Sequence, residues 1–261
     1  MRRLMTPLVA MVVLAPLLPL ALWSGSRSWP YPDLLPRQAS TRGFGLLATA
    51  ETGQALLTSL LVAGAVAALS CAIGLPAGRA IGLHRWRGRR LVQLLLVAPV
   101  IVPGIAVVLG LQVFFIRFGL SESVLGVILV QLVLGVPYAA LVLGGAFETF
   151  DADLERQAHV LGAGSWRTTT SVTLPVLAPA LSATAVLTFL ISWSEYVLTL
   201  VVGGGQVQTL PLLLFATIGT ADTQAAAALG LALVVPPVLL LLAVSGLLRA
   251  RGGMLVGMAR S

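Results

Sequence analysis

The sequence predicts an all-α, polytopic membrane protein with six transmembrane helices. Two observations carry this. Hydrophobic residues make up 58% of the 261 residues and charged residues only 10%, against about 25% charged in a soluble domain. A water-facing fold of this length has too little polar surface at that composition. The apolar residues also come in continuous runs rather than in alternation. Runs of about 20 residues match a helix crossing roughly 30 Å of hydrocarbon, and continuity argues against barrel strands.

Each element follows in order. The first span reads from about Met5 to Trp23, behind Arg2 and Arg3. It is long for a signal-peptide core and no small-x-small site directly follows, so it reads as an uncleaved anchor. Residues 24–54 are polar and rich in Pro, Ser and Gly, with Trp29 and Tyr31 at interface-like positions. The second span is Ala55 to Ile81 and ends in a basic knot, His84 to Arg90. The third, Leu91 to Phe115, is broken by Pro99 and Pro103, and a turn over Arg117 to Ser123 leads to the fourth, Val124 to Phe147. After a polar interval come the fifth span, Ala180 to Val202, an outer loop GGGQVQTLP with an amphipathic continuation to Thr223, and the sixth, Gln224 to Leu248. Domain organisation is expected as an N-terminal anchor and extracytoplasmic loop over 1–50, one core domain over 51–250, and a tail over 251–261.

Charge sets the expected orientation. All basic residues are arginine. With six spans, Arg2, Arg3, Arg79, Arg85, Arg87, Arg89, Arg90, Arg156, Arg167, Arg249, Arg251 and Arg260 fall on the side of the termini, and Arg27, Arg37, Arg42 and Arg117 on the other. The positive-inside rule then places the termini and the segment 148–179 in the cytoplasm. Clustering at span ends explains the arginines better than nucleic-acid binding does. The basic knot is a topology signal first; binding of anionic headgroups is the alternative. Cys71 is the only cysteine, so no disulfide forms within the chain and no thiolate metal site exists. His84 and His159 lack the acids and spacing of a metal site, and no G-x-x-x-x-G-K-[ST] loop is present to cradle a phosphate.

The segment Leu154 to Leu181 is the most informative stretch. Asp151, Asp153 and Glu155 open a helix where acids favour the positive end of the dipole. Leu154, Ala158 and Leu161 recur at i, i+4 and i+7, an apolar stripe on one face. Gly162 is placed to end that helix. A second short helix is expected from Gly164-Ser165, with Ser165 as cap and Leu174-Pro175 as its stop. A surface helix pair of this kind fits a groove on a partner.

This segment resembles the cytoplasmic loop of binding-protein-dependent ABC importer permeases, whose pattern is E-A-A, three residues, G, nine residues, I-x-L-P. Ala158 matches the second alanine, Gly162 follows at the right distance, and Val172, Thr173, Leu174 and Pro175 complete the pattern. Trp166-Arg167 is also similar. Arg156 and Gln157 depart from it, and Glu155 stands one residue early. Further blocks extend the likeness over roughly residues 50–250, and SWSEYVLTLVVGGGQVQTLP is similar to the polyamine (spermidine/putrescine) branch. The resemblance implies a type I importer permease fold with a coupling-helix loop, in a bacterial cytoplasmic membrane. It implies an ABC ATPase dimer beneath, which binds the ATP and Mg while this chain carries no cofactor. It also implies a second permease subunit and an extracytoplasmic solute-binding protein. Coupling residues would be Glu155, Ala158, Leu161, Gly162, Trp166, Leu174 and Pro175. The chain itself would be a transport subunit rather than an enzyme, moving a polyamine-like or other small polar solute (sugar, thiamine, iron, phosphonate).

Glu195, with Trp193 and Tyr196 beside it, is a charge inside an expected span. Such a charge costs about 2.5–3.5 kcal/mol on insertion scales and faces a cavity or a partner. It reads either as a carboxylate on the solute path or as a structural contact. Pro99, Pro103, Pro137, Pro236 and Pro237 read as packing kinks, or as openings along that path. The competing classes are an integral-membrane enzyme, which the lack of a His–acid constellation disfavours, and a stand-alone carrier, for which no inverted repeat is visible.

Overall fold

The computed structural model describes residues 15–29, 33, 35–36 and 38–258. Most of the expected first span therefore lies outside the described residues, as do Tyr31 and Arg37; its end is helical as α1, Leu17–Ser24. A short hairpin follows, β1 (Ser26–Ser28) against β2 (Gln38–Ala39). Then come α2 (Arg42–Leu47), α3 (Ala50–Leu83), α4 (Arg89–Ile101), α5 (Gly104–Arg117), α6 (Val124–Glu148), α7 (Asp153–Val160), α8 (Ser165–Thr168), a π-helical turn (Thr169–Thr173), α9 (Leu174–Trp193), α10 (Val197–Gly203), α11 (Leu210–Gly219) and α12 (Thr223–Met258).

Among the described residues, four helical stretches are long and apolar enough to cross a membrane: α3, α6, the run from Ser165 to Trp193, and α12 from Thr223 to Gly246. The expected third span is a bent pair, with α4 and α5 meeting at 95°. The bend sits where the sequence marks it. Val102 is extended before Pro103, as a residue preceding proline tends to be. The expected fifth span is also divided, into α9 and α10 with a gap at Ser194–Tyr196. The sixth is longer than expected and stays helical to Met258.

The chain forms two compact units. One comprises residues 1–59 and 208–239. Within it, Gln224 donates to the carbonyls of Ser24 (3.2 Å) and Ser40 (3.1 Å), and Arg42 pairs with Asp222 at 2.5 Å. Gly43 permits the close approach, because a Cβ there would stand 2.6 Å from the Ser24 carbonyl oxygen. The amide of Leu210 donates to the Ser59 hydroxyl at 2.7 Å, fixing the start of α11.

The other unit comprises residues 60–207 and 240–261. Its main core joins Val62 and Val66 of α3, Val108 and Phe115 of α5, Val127 and Val130 of α6, and Leu198 and Val202 of α10. Glycines recurring every fourth residue on α3 face α6: a Cβ on Gly74, Gly78 or Gly82 would lie 2.5 Å from the Cβ of Ala139, 2.8 Å from the Gly144 nitrogen and 2.4 Å from the Cβ of Phe147. Small residues in this register let helix backbones touch, which is how helices associate where lipid supplies no hydrophobic drive. A second core of Phe147, Phe150 and Leu177 closes the end near the polar segment. Gln131 of α6 spans the α9–α10 gap. It accepts from Ser192 and donates to Thr199 at 2.9 Å, so one buried amide holds both sides of the break.

Candidate functional site

The segment 151–175 builds its site from local signals. Asp151 accepts from the amide of Asp153 at 2.9 Å and starts α7. The helix ends in a Schellman motif. The Ala163 amide donates to the Ala158 carbonyl (3.0 Å) and the Gly162 amide to the His159 carbonyl (2.9 Å). Gly162 adopts φ +84°, a conformation that penalises any Cβ. Its missing side chain faces open space. The stop at Gly162 is thus conformational, and the surface above it is clear.

The outer face of α7 and the turn beyond it are apolar and bare. Val160 and Leu161 are each 87% exposed and Trp166 is 81% exposed. Leu154, at the margin of the same helix, is exposed too, whereas Ala158 is half-buried. Arg156, at the position of the family glutamate, pairs with Asp153 one turn earlier on the surface.

The inner face holds a charge cluster. Glu155 is buried, and its two carboxylate oxygens accept from Arg79 Nη1 (2.6 Å) and Nη2 (2.5 Å). Thr173 Oγ1 donates to the same carboxylate at 2.5 Å. The Arg79 guanidinium also stands 5.9 Å over the Phe147 ring, within cation–π range. Hydrogen bonds from Arg79, with help from Thr173, hold the Glu155 carboxyl below the usual carboxylate range, outweighing the opposing effect of burial. A cavity of about 320 Å³ lies beside the pair, lined by Arg79, Phe147, Glu155, His159, Thr168 and Thr173.

Two local expectations are corrected. Gly164, extended at φ −67° and ψ 163°, is the residue before α8, and no side chain caps it, so Ser165 is not the cap. Leu174-Pro175 does not stop the second helix. α8 continues through the π turn into α9, and Leu174 and Pro175 occupy the first turn of α9. There the missing proline N–H removes no bond that α9 needs. Leu174 is half-buried and Pro175 exposed.

The remaining predicted residues lie at the other end of α9. Trp193 is buried and stacks on Phe189 at 5.7 Å. Tyr196 is the residue before α10, and Glu195, half-buried, accepts the Leu198 amide at 2.9 Å through Oε1. The carboxylate therefore satisfies an amide in the first turn of α10. The structure places Glu155 on the inner face of α7 and sets Trp193, Glu195 and Tyr196 about 30 Å away along α9. Sequence reasoning missed Arg79 and Thr173. Arg79 appeared only as a span-end charge, and nothing in its spacing signals a partner 76 residues on.

Residues 74–251 match the family model described as "Binding-protein-dependent transport system inner membrane component". The chain belongs to this family. The permease is similar over 220 residues, at 34% identity, to the molybdenum transport system permease protein ModB of Mycobacterium tuberculosis, covering 78% of this chain and 82% of that one. It is 37% identical over 166 residues to the putative ABC transporter permease protein ORF1 of Streptomyces antibioticus (63% and 72% of the two chains). It is 26% identical over 182 residues to the spermidine/putrescine permease protein PotC of Haemophilus influenzae (70% and 71%). The fold matches a chain of a bacterial ABC transporter that imports the acidic polysaccharide alginate, with a TM-score of 0.71 and 16% identity over 94% of each chain. The chain is thus a membrane-embedded ABC importer permease subunit and not itself an enzyme.

Proposed function

We propose that residues 151–175 form the coupling element of this permease and dock a cytoplasmic ABC ATPase. The observation that carries the reading is the division of α7 into two faces: Val160, Leu161 and Trp166 exposed outward, and Glu155 anchored inward to Arg79. A bare apolar tip on a rigid base can enter a groove and pass a displacement to the helices behind it. Glu155, Ala158 and Gly162 set the tip's shape, and Leu174 and Pro175 begin the span that carries the displacement. A second permease subunit and a binding protein would complete the importer; a solved structure with the same fold is an alginate ABC transporter in complex with a ligand-bound periplasmic protein. On this reading the termini are cytoplasmic.

The transporter would move a small polar solute inward by alternating access. Two solute readings each have their own support. A polyamine-like cation is favoured by Glu195, a half-buried carboxylate at the α9–α10 gap, flanked by Trp193 and Tyr196. A tetrahedral oxyanion is favoured by likeness to a molybdenum permease over 78% of the chain. The coupling role is tested by co-purifying the cognate ATPase with Leu161→Asp and Trp166→Ala, whose side chains are too exposed to unfold the chain. Undiminished ATPase recovery from both would refute it. Uptake of labelled spermidine and of molybdate into proteoliposomes bearing the whole transporter separates the solutes; transport of neither would remove both readings.

A further inference from the structure

The turn between α3 and α4 carries a charge arrangement that the coupling reading does not use. Arg85, Arg87 and Arg90 are exposed, and among the described residues no carboxylate pairs with any of them. Arg89, between them, is committed to Glu148. The turn is built rather than loose. The Trp86 indole N–H donates to the Ala80 carbonyl at 3.3 Å, tying the ring back to the end of α3. The ring packs 3.4 Å from where a Gly88 Cβ would lie, and Gly88 sits at φ +95°. The Arg89 amide closes the turn onto the Trp86 carbonyl at 3.3 Å. A shallow depression lined by Arg85 to Arg90 results. Next along the chain, Leu91, Leu94 and Leu95 of α4 are 60%, 64% and 60% exposed. At i, i+3 and i+4 they form one outward stripe.

We infer that this turn binds the phosphate headgroup of an anionic phospholipid, with the acyl chains lying on Leu91, Leu94 and Leu95. Guanidiniums recognise phosphate by paired N–H donors, and free inorganic phosphate shares that chemistry. The apolar stripe that follows the arginines on α4 selects the lipid, because a soluble anion has no use for it. Trp86, 41% exposed within the same turn, is a residue type that favours the headgroup zone. The inference needs only that the chain is a membrane protein, so it stands or falls apart from the coupling role.

Native mass spectrometry of the whole purified chain, titrated with phosphatidylglycerol and separately with phosphatidylcholine, tests it. Wild type should retain a phosphatidylglycerol molecule that Arg85→Gln/Arg87→Gln/Arg90→Gln loses. Apparent affinity should fall roughly fivefold per arginine and on the order of a hundredfold in all, with phosphatidylcholine retention unchanged. If the triple variant does not accumulate in the membrane, Arg87→Gln alone should show the roughly fivefold loss. Equal phosphatidylglycerol retention by wild type and variant overturns the proposal. So does displacement of the lipid by millimolar inorganic phosphate, which would assign the site to a soluble anion. Loss of ATPase recovery from the variant with lipid retention intact would likewise overturn it, giving the arginines to a protein partner.

Discussion

Replacing Glu155 by Gln should release α7 from its base while leaving the exposed tip intact. The carboxylate receives two hydrogen bonds from Arg79, at 2.6 and 2.5 Å, and one from Thr173 at 2.5 Å. Hydrogen bonds to a charged group contribute about 1.5–3 kcal/mol each, and removing one member of a buried pair costs about 3–5 kcal/mol. The Arg79 side chain is 38% exposed, so water recovers part of that loss. The amide still offers one acceptor. A local cost of about 2 kcal/mol remains after this discount. It corresponds to roughly a 30-fold rise in the population of the detached helix. Hydrogen exchange of the α7 amides in the purified chain reads that population directly, and those amides should exchange roughly 30-fold faster in Glu155→Gln. A double-mutant cycle with Arg79→Gln separates the pair from general loosening. The two changes should be non-additive by about 1–2 kcal/mol. Unchanged α7 exchange, or additive effects, would refute the claim that this pair anchors the helix.

Acid should mimic the same change. The Glu155 carboxyl is held low by Arg79, so its contribution is fully present above the unfolded carboxylate pKa of about 4.3 and is lost as pH falls through the lower folded value. The thermal midpoint of wild type should therefore converge on that of Glu155→Gln below about pH 4.3; curves that stay parallel would contradict this. Gly82→Ala should lower the midpoint by the equivalent of about 1–3 kcal/mol through overpacking against Phe147, whereas Gly64→Ala, with nothing within 4 Å, should cost nothing. Gly162→Ala should cost about 1 kcal/mol through its φ of +84° alone, and measured ATPase affinity should fall with no new clash. Gln131→Leu removes the bonds to Ser192 and Thr199. At about 0.6 kcal/mol per interhelical bond in lipid, it should lower the thermal midpoint by the equivalent of about 1 kcal/mol.

Local features of the chain were legible where short-range chemistry decides them. The α7 helix, its stop at Gly162 and the proline-marked break in the third span all follow from neighbouring residues, and the structure places them where expected. Pro175 misled because a proline ends a helix only if its N–H is needed. The π turn over Thr169–Thr173 puts Pro175 at the beginning of α9 instead. Glu195 was legible as an unusual charge, but its bond to the Leu198 amide depends on a backbone gap that hydropathy cannot show. Glu155 sits one position before the family glutamate and reads as a mismatch on spacing alone. Only the approach of Arg79 from another helix reveals it as the buried anchor of the segment.

The glycine ladder on α3 has a mechanical consequence. With Gly74, Gly78 and Gly82 in near backbone contact with Ala139, Gly144 and Phe147, α3 and α6 have no side-chain cushion along that length in which to slide. The Glu155–Arg79 link attaches α7 to α3 just inside the end of this seam. If the tip docks as proposed, a tug on it is delivered to a two-ply beam rather than to one pliant rod, and stiffness that looks like a requirement of packing becomes a property of the lever.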